Sequence, residues 1–138
     1  MATQDIISAL IKDAEDELSS IIQYLLHHYE AKGLESEAII GVFEKHALDE
    51  MKHYETLSER ITFLGGETPS MPSEIKRGGS LQKMIQDDIV GEEKAVTQYK
   101  EHIKLADKEG DPTTRHLLEE ILTTEEKHLD DLQRLLGR

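Results

Sequence analysis

The chain has 138 residues, which gives room for one domain with one core and too little for two. Its 29 acidic and 16 basic residues leave a formal charge of −13, which disfavours nucleic acid and anionic membrane as partners and favours cations. There is no cysteine, so disulfides, iron–sulfur clusters and thiolate zinc sites are excluded, and any metal must be held by oxygen and imidazole.

Met1 to Ala14 lacks a basic leader region, and no apolar run approaches the length of a membrane span, so a cytoplasmic location is expected. From Thr3 to Lys32, Ile6, Ile7, Leu10, Ile11, Ala14, Leu18, Ile21, Ile22, Leu25 and Leu26 recur at helical spacing, and Gly33 stops this first helix. Ser36 is the expected N-cap of a second helix, which continues through Phe43, Leu48, Leu57 and Ile61 to Leu64, before Gly65-Gly66. Glu67 to Gly79 contains Pro69, Pro72 and the Gly78-Gly79 pair and reads as a long connection. A third helix starts near Ser80 and runs through Ile85, Ile89, Val96, Ile103 and Leu105 to about Lys108. Glu109-Gly110-Asp111-Pro112 then makes a turn, with Pro112 suited to the first turn of a fourth helix that ends near Gly137.

No segment reads as a strand. Helices of this length span about 40 Å. The short connections after the first and third helices force antiparallel hairpins, whereas the central connection reaches roughly 45 Å when extended and can cross the whole molecule. The expected fold is all-α, a single four-helix bundle over residues 1–138 made of two hairpins joined by a long crossover loop.

Offsetting the sequence by 75 residues reveals an internal repeat. It pairs Asp13 with Asp88, Glu17 with Glu92, Gln23 with Gln98, Tyr24 with Tyr99 and His27 with His102. The same offset pairs Glu50 with Glu125, His53 with His128 and Leu57 with Leu132. Each half therefore carries one Glu followed, 33 residues later, by Glu-x-x-His. Glu17 and Glu50 lie at similar distances from the first hairpin turn, which puts them at one height, and Glu92 and Glu125 are related in the same way. The i, i+3 spacing sets Glu50 with His53, and Glu125 with His128, on one helix face where they can share a metal. All lie on apolar stripes and point inward. Four carboxylates in a dry core cost several kcal/mol each unless cations or protons balance them, and two divalent ions would balance all four.

A lone Glu-x-x-His in an acidic helix is usually accidental. Here only two of the seven histidines have Glu three residues before them, and both obey the repeat. The other five, His27, His28, His46, His102 and His116, are expected to be solvated or hydrogen-bonded on helix surfaces. Asp49, with Glu44 and His46, is expected on a solvated charged face.

At these residues the sequence resembles the bacterioferritin branch of the ferritin-like superfamily over nearly its whole length. The segment from Glu17 to His27 resembles the family's first-helix motif, and Asp49-Glu50-Met51-Lys52-His53 resembles its second-helix motif. Glu119-Glu120-Ile121-Leu122 and Glu125-Glu126-Lys127-His128 resemble the fourth-helix segment. The resemblance implies a ferritin-like bundle holding a di-iron centre, two iron ions per chain. Glu50 and Glu125 would bridge, Glu17 and Glu92 would be terminal carboxylates, and His53 and His128 would each cap one iron. It implies a ferroxidase that takes Fe(II) and O2 or hydrogen peroxide as substrates and delivers Fe(III) for storage. Tyr24 resembles a tyrosine beside the family's centre that hydrogen-bonds there or supplies an electron.

Met51 stands where bacterioferritins place the methionine that binds haem across a dimer interface, so the resemblance makes haem a candidate cofactor. The alternative role for Met51 is an adaptable apolar filler. The resemblance also implies a homo-oligomer, at least a dimer, with a ferritin-like cage as the larger form. The sequence stops at Arg138, ahead of the short fifth helix that family members carry, which argues against a closed cage. Two other readings compete. A rubrerythrin-like peroxidase would carry a second glutamate three residues after Glu92, where this chain has Ala95, and the missing cysteines remove its usual rubredoxin site. A non-enzymatic bundle would use its polar core only to set helix register.

Overall fold

The computed structural model describes residues 2–138 and contains four long helices: α1 (Ala2–Glu30), α2 (Ile40–Phe63), α3 (Leu81–Lys108) and α4 (Pro112–Leu135). No strand occurs among the described residues. α1 packs chiefly on α2 and α3 on α4, so the molecule is two antiparallel hairpins, with α1 facing α3 and a thinner contact between α2 and α4. This is the expected four-helix bundle.

Most helix ends follow local chemistry. The Ser80 hydroxyl accepts from the Lys83 amide at 3.1 Å and starts α3, and the Asp111 carboxylate accepts from the Thr114 amide at 3.0 Å with Pro112 in the first turn of α4. The expectation for Ser36 is corrected. It lies in a 3₁₀ turn, Leu34–Ser36, where its hydroxyl donates to the Lys32 carbonyl at 2.6 Å, and α2 begins only at Ile40 with no side-chain cap. A hydroxyl turned back on the preceding connection contributes nothing to the amides ahead of it.

The crossover is tied along its length rather than free. Tyr54 donates to the Pro69 carbonyl at 2.7 Å, the Ser73 hydroxyl donates to Asp16 at 2.8 Å, and the Lys76 amide donates to the Gln23 side chain at 2.8 Å. Successive ties to α2 and then to α1 carry the chain from the end of one hairpin to the start of the other. Arg60, near the end of α2, holds the start of α4 by donating to Asp111 at 2.9 Å and to the Thr114 hydroxyl at 2.9 Å.

The apolar interior divides into two clusters. One contains Ile6, Leu10, Ala14, Leu57, Ile61, Tyr99, Leu118 and Ile121, and the other Tyr24, Phe43, Ala47, Met84, Ile85, Ile89 and Leu132. Each fully buried large aliphatic side chain contributes about 1.5–3 kcal/mol, so these layers carry the fold and leave the polar residues between them to other work.

Where the crossover leaves α2, Gly66 packs so closely that a Cβ there would sit 2.7 Å from Ile7 Cγ2 and 3.0 Å from Ile61 Cγ2. Gly66→Ala is expected to destabilise the metal-free chain by about 1–3 kcal/mol through overpacking. A urea midpoint equal to the parent's would show that this corner yields freely.

Candidate metal centre

All six candidate ligands expected from the sequence converge. Glu17 comes from α1, Glu50 and His53 from α2, Glu92 from α3, and Glu125 and His128 from α4, and every one is buried. Their donor atoms form two compact groups, Glu17, Glu50, His53 and Glu125 in one, and Glu50, Glu92, Glu125 and His128 in the other, each within 4.8 Å. Glu50 and Glu125 belong to both groups, which is the arrangement two bridging carboxylates require.

Each histidine turns Nδ1 toward the carboxylates. His53 Nδ1 lies 3.1 Å from Glu50 Oε1, 3.5 Å from Glu17 Oε2 and 3.6 Å from Glu125 Oε1. His128 Nδ1 lies 3.1 Å from Glu92 Oε2, 3.4 Å from Glu125 Oε1 and 3.6 Å from Glu50 Oε1. On its other side, His128 Nε2 donates to Asp49 Oδ2 at 2.9 Å, which turns Nδ1 inward to its hydrogen bond with Glu92 Oε2. Asp49 is thus half-buried against a ligand, not on the solvated face expected for it.

The terminal carboxylates are each held by a phenol. Tyr24 donates to Glu92 Oε2 at 2.6 Å, and Tyr99 donates to Glu17 Oε1 at 2.7 Å. Burial first, and then the neighbouring carboxylates, raise both phenols well above their ordinary value, so they remain donors. Tyr99 was not among the expected site residues, although the repeat that pairs it with Tyr24 is the signal that identifies it.

Around this sits a second symmetric layer. Asp88 accepts from Gln23 at 2.8 Å and meets His27 Nδ1 at 2.8 Å, while Asp13 accepts from Gln98 at 2.8 Å and meets His102 Nδ1 at 2.8 Å. Burial raises both aspartates, opposed by their histidines. His27 and His46 are fully buried and His102 largely so, which corrects the surface placement expected for them. In each case a carboxylate on another helix, buried Asp88 for His27, buried Asp13 for His102 and the partly exposed Asp131 for His46, supplies the partner that makes burial tolerable. His116 is exposed, as expected.

The chemistry of the donor set fits a pair of cations. Among the described residues, Glu17 Oε2, both Glu50 oxygens, His53 Nδ1 and Glu125 Oε1 are buried without a hydrogen-bond partner. Such atoms are costly unless something positive binds them. Burial, then the charges of Glu17 and Glu92, push Glu50 well above the usual carboxylate range, and burial with Glu50 and Glu92 does the same to Glu125. Burial works against the His128 cation, but Glu125 and Glu92 outweigh it and raise His128 to about 10. Burial likewise opposes the His53 cation and the nearby Glu17 outweighs it. Protons therefore stand in for metal charge.

A cavity of about 160 Å³ opens between α1 and α3 beside the crossover and reaches Glu17, Tyr99 and Glu125. Another, of about 240 Å³, lies between α2 and α4 and reaches His53 past Asp49 and Lys52. Met51 is 40% exposed on the outside of α2 and takes no part in the centre.

The family profile described as the ferritin-like domain matches residues 7–138. A bacterioferritin of Desulfovibrio desulfuricans is 30% identical over 125 residues, covering 90% of this chain and 70% of that protein. A bacterial ferritin of Synechocystis sp. is 33% identical over 137 residues, covering 96% of this chain and 86% of its own. Among solved structures, a ferritin-like, diiron-carboxylate protein of Bacillus anthracis superposes with a TM-score of 0.95 at 25% identity, covering 99% of this chain and 98% of that one. The X-ray structure of the D. desulfuricans bacterioferritin, which describes its diiron site, superposes with a TM-score of 0.92 at 27% identity, covering 97% of this chain and 79% of that one.

Groups whose folded pKa is raised stabilise the fold below their unfolded value and lose that contribution as pH climbs through the folded one. For Glu50 and Glu125 the loss begins above 4.5, and for His128 it extends from 6.5 to about 10. The metal-free chain is expected to melt lower as pH rises from about 5 to about 9, and the Glu50→Gln/Glu125→Gln double variant to show a flatter dependence. Parallel melting curves for parent and variant would contradict these shifts.

Proposed function

The chain belongs to the ferritin-like domain family, as a member of bacterioferritin type, and we propose that it is a di-iron ferroxidase. In this reading residues 1–138 form one ferritin-like domain that takes Fe(II) and O2 or hydrogen peroxide as substrates, for iron storage or detoxification. The observation that carries it is the sharing of Glu50 and Glu125 between two donor groups that each add one terminal glutamate and one histidine. The diiron sites named for the Bacillus and Desulfovibrio proteins support the same assignment.

A bound iron pair supplies two electrons to the oxidant as each ion passes from Fe(II) to Fe(III). The protein's part is to bind, orient and balance charge. Four carboxylates match the charge of two divalent ions, and hard oxygen donors favour the ferric product while imidazole keeps the ferrous form accessible. Tyr24 and Tyr99 hold Glu92 and Glu17 in place through their phenolic protons, and Asp49 fixes the ring of His128. The cavity beside the crossover is lined by Asp16, Glu74 and Asp87 together with Lys76 and Lys94, and it leads to Glu17 and Glu125.

Assembly is proposed as a homo-oligomer, at least a dimer, in the cytoplasm. No described helix is long and apolar enough to cross a membrane. Leu48 and Met51 are exposed apolar side chains on α2, and a haem liganded by Met51 would lie on that outer face, between copies. The peroxidase reading finds no added carboxylate, because position 95 is alanine.

Anaerobic titration is expected to give two Fe(II) bound per chain, and admission of air to give O2 consumption with rising ferric absorbance. Glu50→Ala, which removes a ligand common to both groups, is expected to abolish oxidation. Binding without oxidation would favour a register-setting polar core, and oxidation by peroxide alone would favour the peroxidase. Tyr24→Phe and Tyr99→Phe are each expected to weaken one of the two Fe(II) binding steps by about tenfold or more, as loss of a ligand's supporting hydrogen bond does. Unchanged binding isotherms would show that the phenols do not position the ligands.

A further inference from the structure

The two halves of the centre match in their glutamate, histidine, tyrosine, aspartate and glutamine, but one half carries a buried histidine that the other lacks. The offset that pairs Glu50 with Glu125 pairs His46 with Ile121. Ile121 is 3% exposed and belongs to an apolar cluster, whereas His46 is 1% exposed and stacks on His128 at 3.9 Å with rings 21° apart. One side of the centre therefore has an imidazole where the other has a hydrocarbon.

His46 is held in the manner of a ligand. Its Nε2 lies 3.3 Å from Asp131 Oδ2, and its Nδ1 is buried with no hydrogen-bond partner. His128 shows the same pattern, with Nε2 on Asp49 and Nδ1 turned to the carboxylates. An aspartate on one ring nitrogen fixes the tautomer that leaves the other nitrogen's lone pair free for a metal. A ring nitrogen of His46, a Glu92 carboxylate oxygen and a ring nitrogen of His128 lie within 4.8 Å of one another. Because the rings stack nearly parallel, both reach one ion only when one of them turns out of the stack, and the unpartnered Nδ1 of His46 is the donor such a turn supplies. On the opposite side Ile121 offers none.

We propose that His46, Glu92 and His128 form a nitrogen-rich divalent-cation position on one side of the centre only, which fills before the Glu17/His53 side. Two imidazoles and one carboxylate suit Co(II) and Zn(II), which accept nitrogen donors more readily than the carboxylate-rich opposite side would demand. The inference rests on the reading of this centre as metal-binding, and it makes the two ions inequivalent in affinity and in kind.

The first test is a crystal of the intact protein soaked with less than one equivalent of Co(II) per chain. Anomalous density is expected within bonding distance of His46, Glu92 and His128. First density between Glu17 and His53, equal occupancy of both sides, or an ion on the Glu92 side with His46 out of reach would overturn the proposal while leaving a metal centre intact. An excess of Co(II) that finds none of these groups would overturn the metal-binding reading as well. In solution, anaerobic Co(II) titration followed by visible absorbance is expected to show two unequal steps. His46→Ile, which copies the opposite side, is expected to weaken the tighter step by about 10- to 100-fold and leave the other unchanged. His46→Gln, which keeps a polar group near Asp131, should do the same if the Ile variant folds poorly. An unchanged tight step in a folded variant would refute the assignment.

Discussion

Mutual repulsion among buried carboxylates governs this molecule. Glu17, Glu50, Glu92 and Glu125 approach one another in an interior where each ionised group costs several kcal/mol to desolvate. Without cations, the fold reduces that cost by keeping protons on Glu50, Glu125 and His128, a state in which the charges are balanced but several donor atoms have no partner. The same features make cation binding favourable, because an ion entering this space releases protons and satisfies the orphaned atoms together. Stability in the apo state and affinity for metal are thus opposed by construction.

The surrounding structure exists to hold that arrangement. Apolar layers above and below the centre supply the stabilisation that the polar middle lacks. The phenols of Tyr24 and Tyr99 fix the two terminal carboxylates, and beyond them the Asp88–His27–Gln23 and Asp13–His102–Gln98 networks link α1 to α3. These pairs lie on different helices, so each ties together the two hairpins that the apolar layers press into contact. Hydrogen bonding within such a buried network favours one register over its neighbours, since a slipped register would leave many more groups unsatisfied.

Approximate two-fold symmetry is the organising pattern, and its lapses are where the two sides acquire separate properties. His46 opposite Ile121 is the clearest lapse. Asp49 is another: its offset partner is Thr124, which offers no carboxylate to fix a ring as Asp49 fixes His128. A chain with duplicated halves needs only such single replacements to surround the two sides of its centre with different side chains.

Helix periodicity, the glycine and proline stops, and the Glu and Glu-x-x-His spacing were legible in the amino-acid order alone, because they depend on local geometry and on a repeat that any helix preserves. Those features suffice to name the four helices and the six candidate ligands that converge. Local order could not show that His27, His46 and His102 would be buried, because each depends on a group from a neighbouring helix; Ser36 is a local case, in which two short-range partners compete and the hydroxyl takes a carbonyl four residues back. Ser36 turns back to the Lys32 carbonyl, His27 finds Asp88 across the bundle, and His46 finds Asp131 and the face of His128. A titratable side chain can enter a dry interior only when its partner arrives there too, and only tertiary packing decides which partners meet.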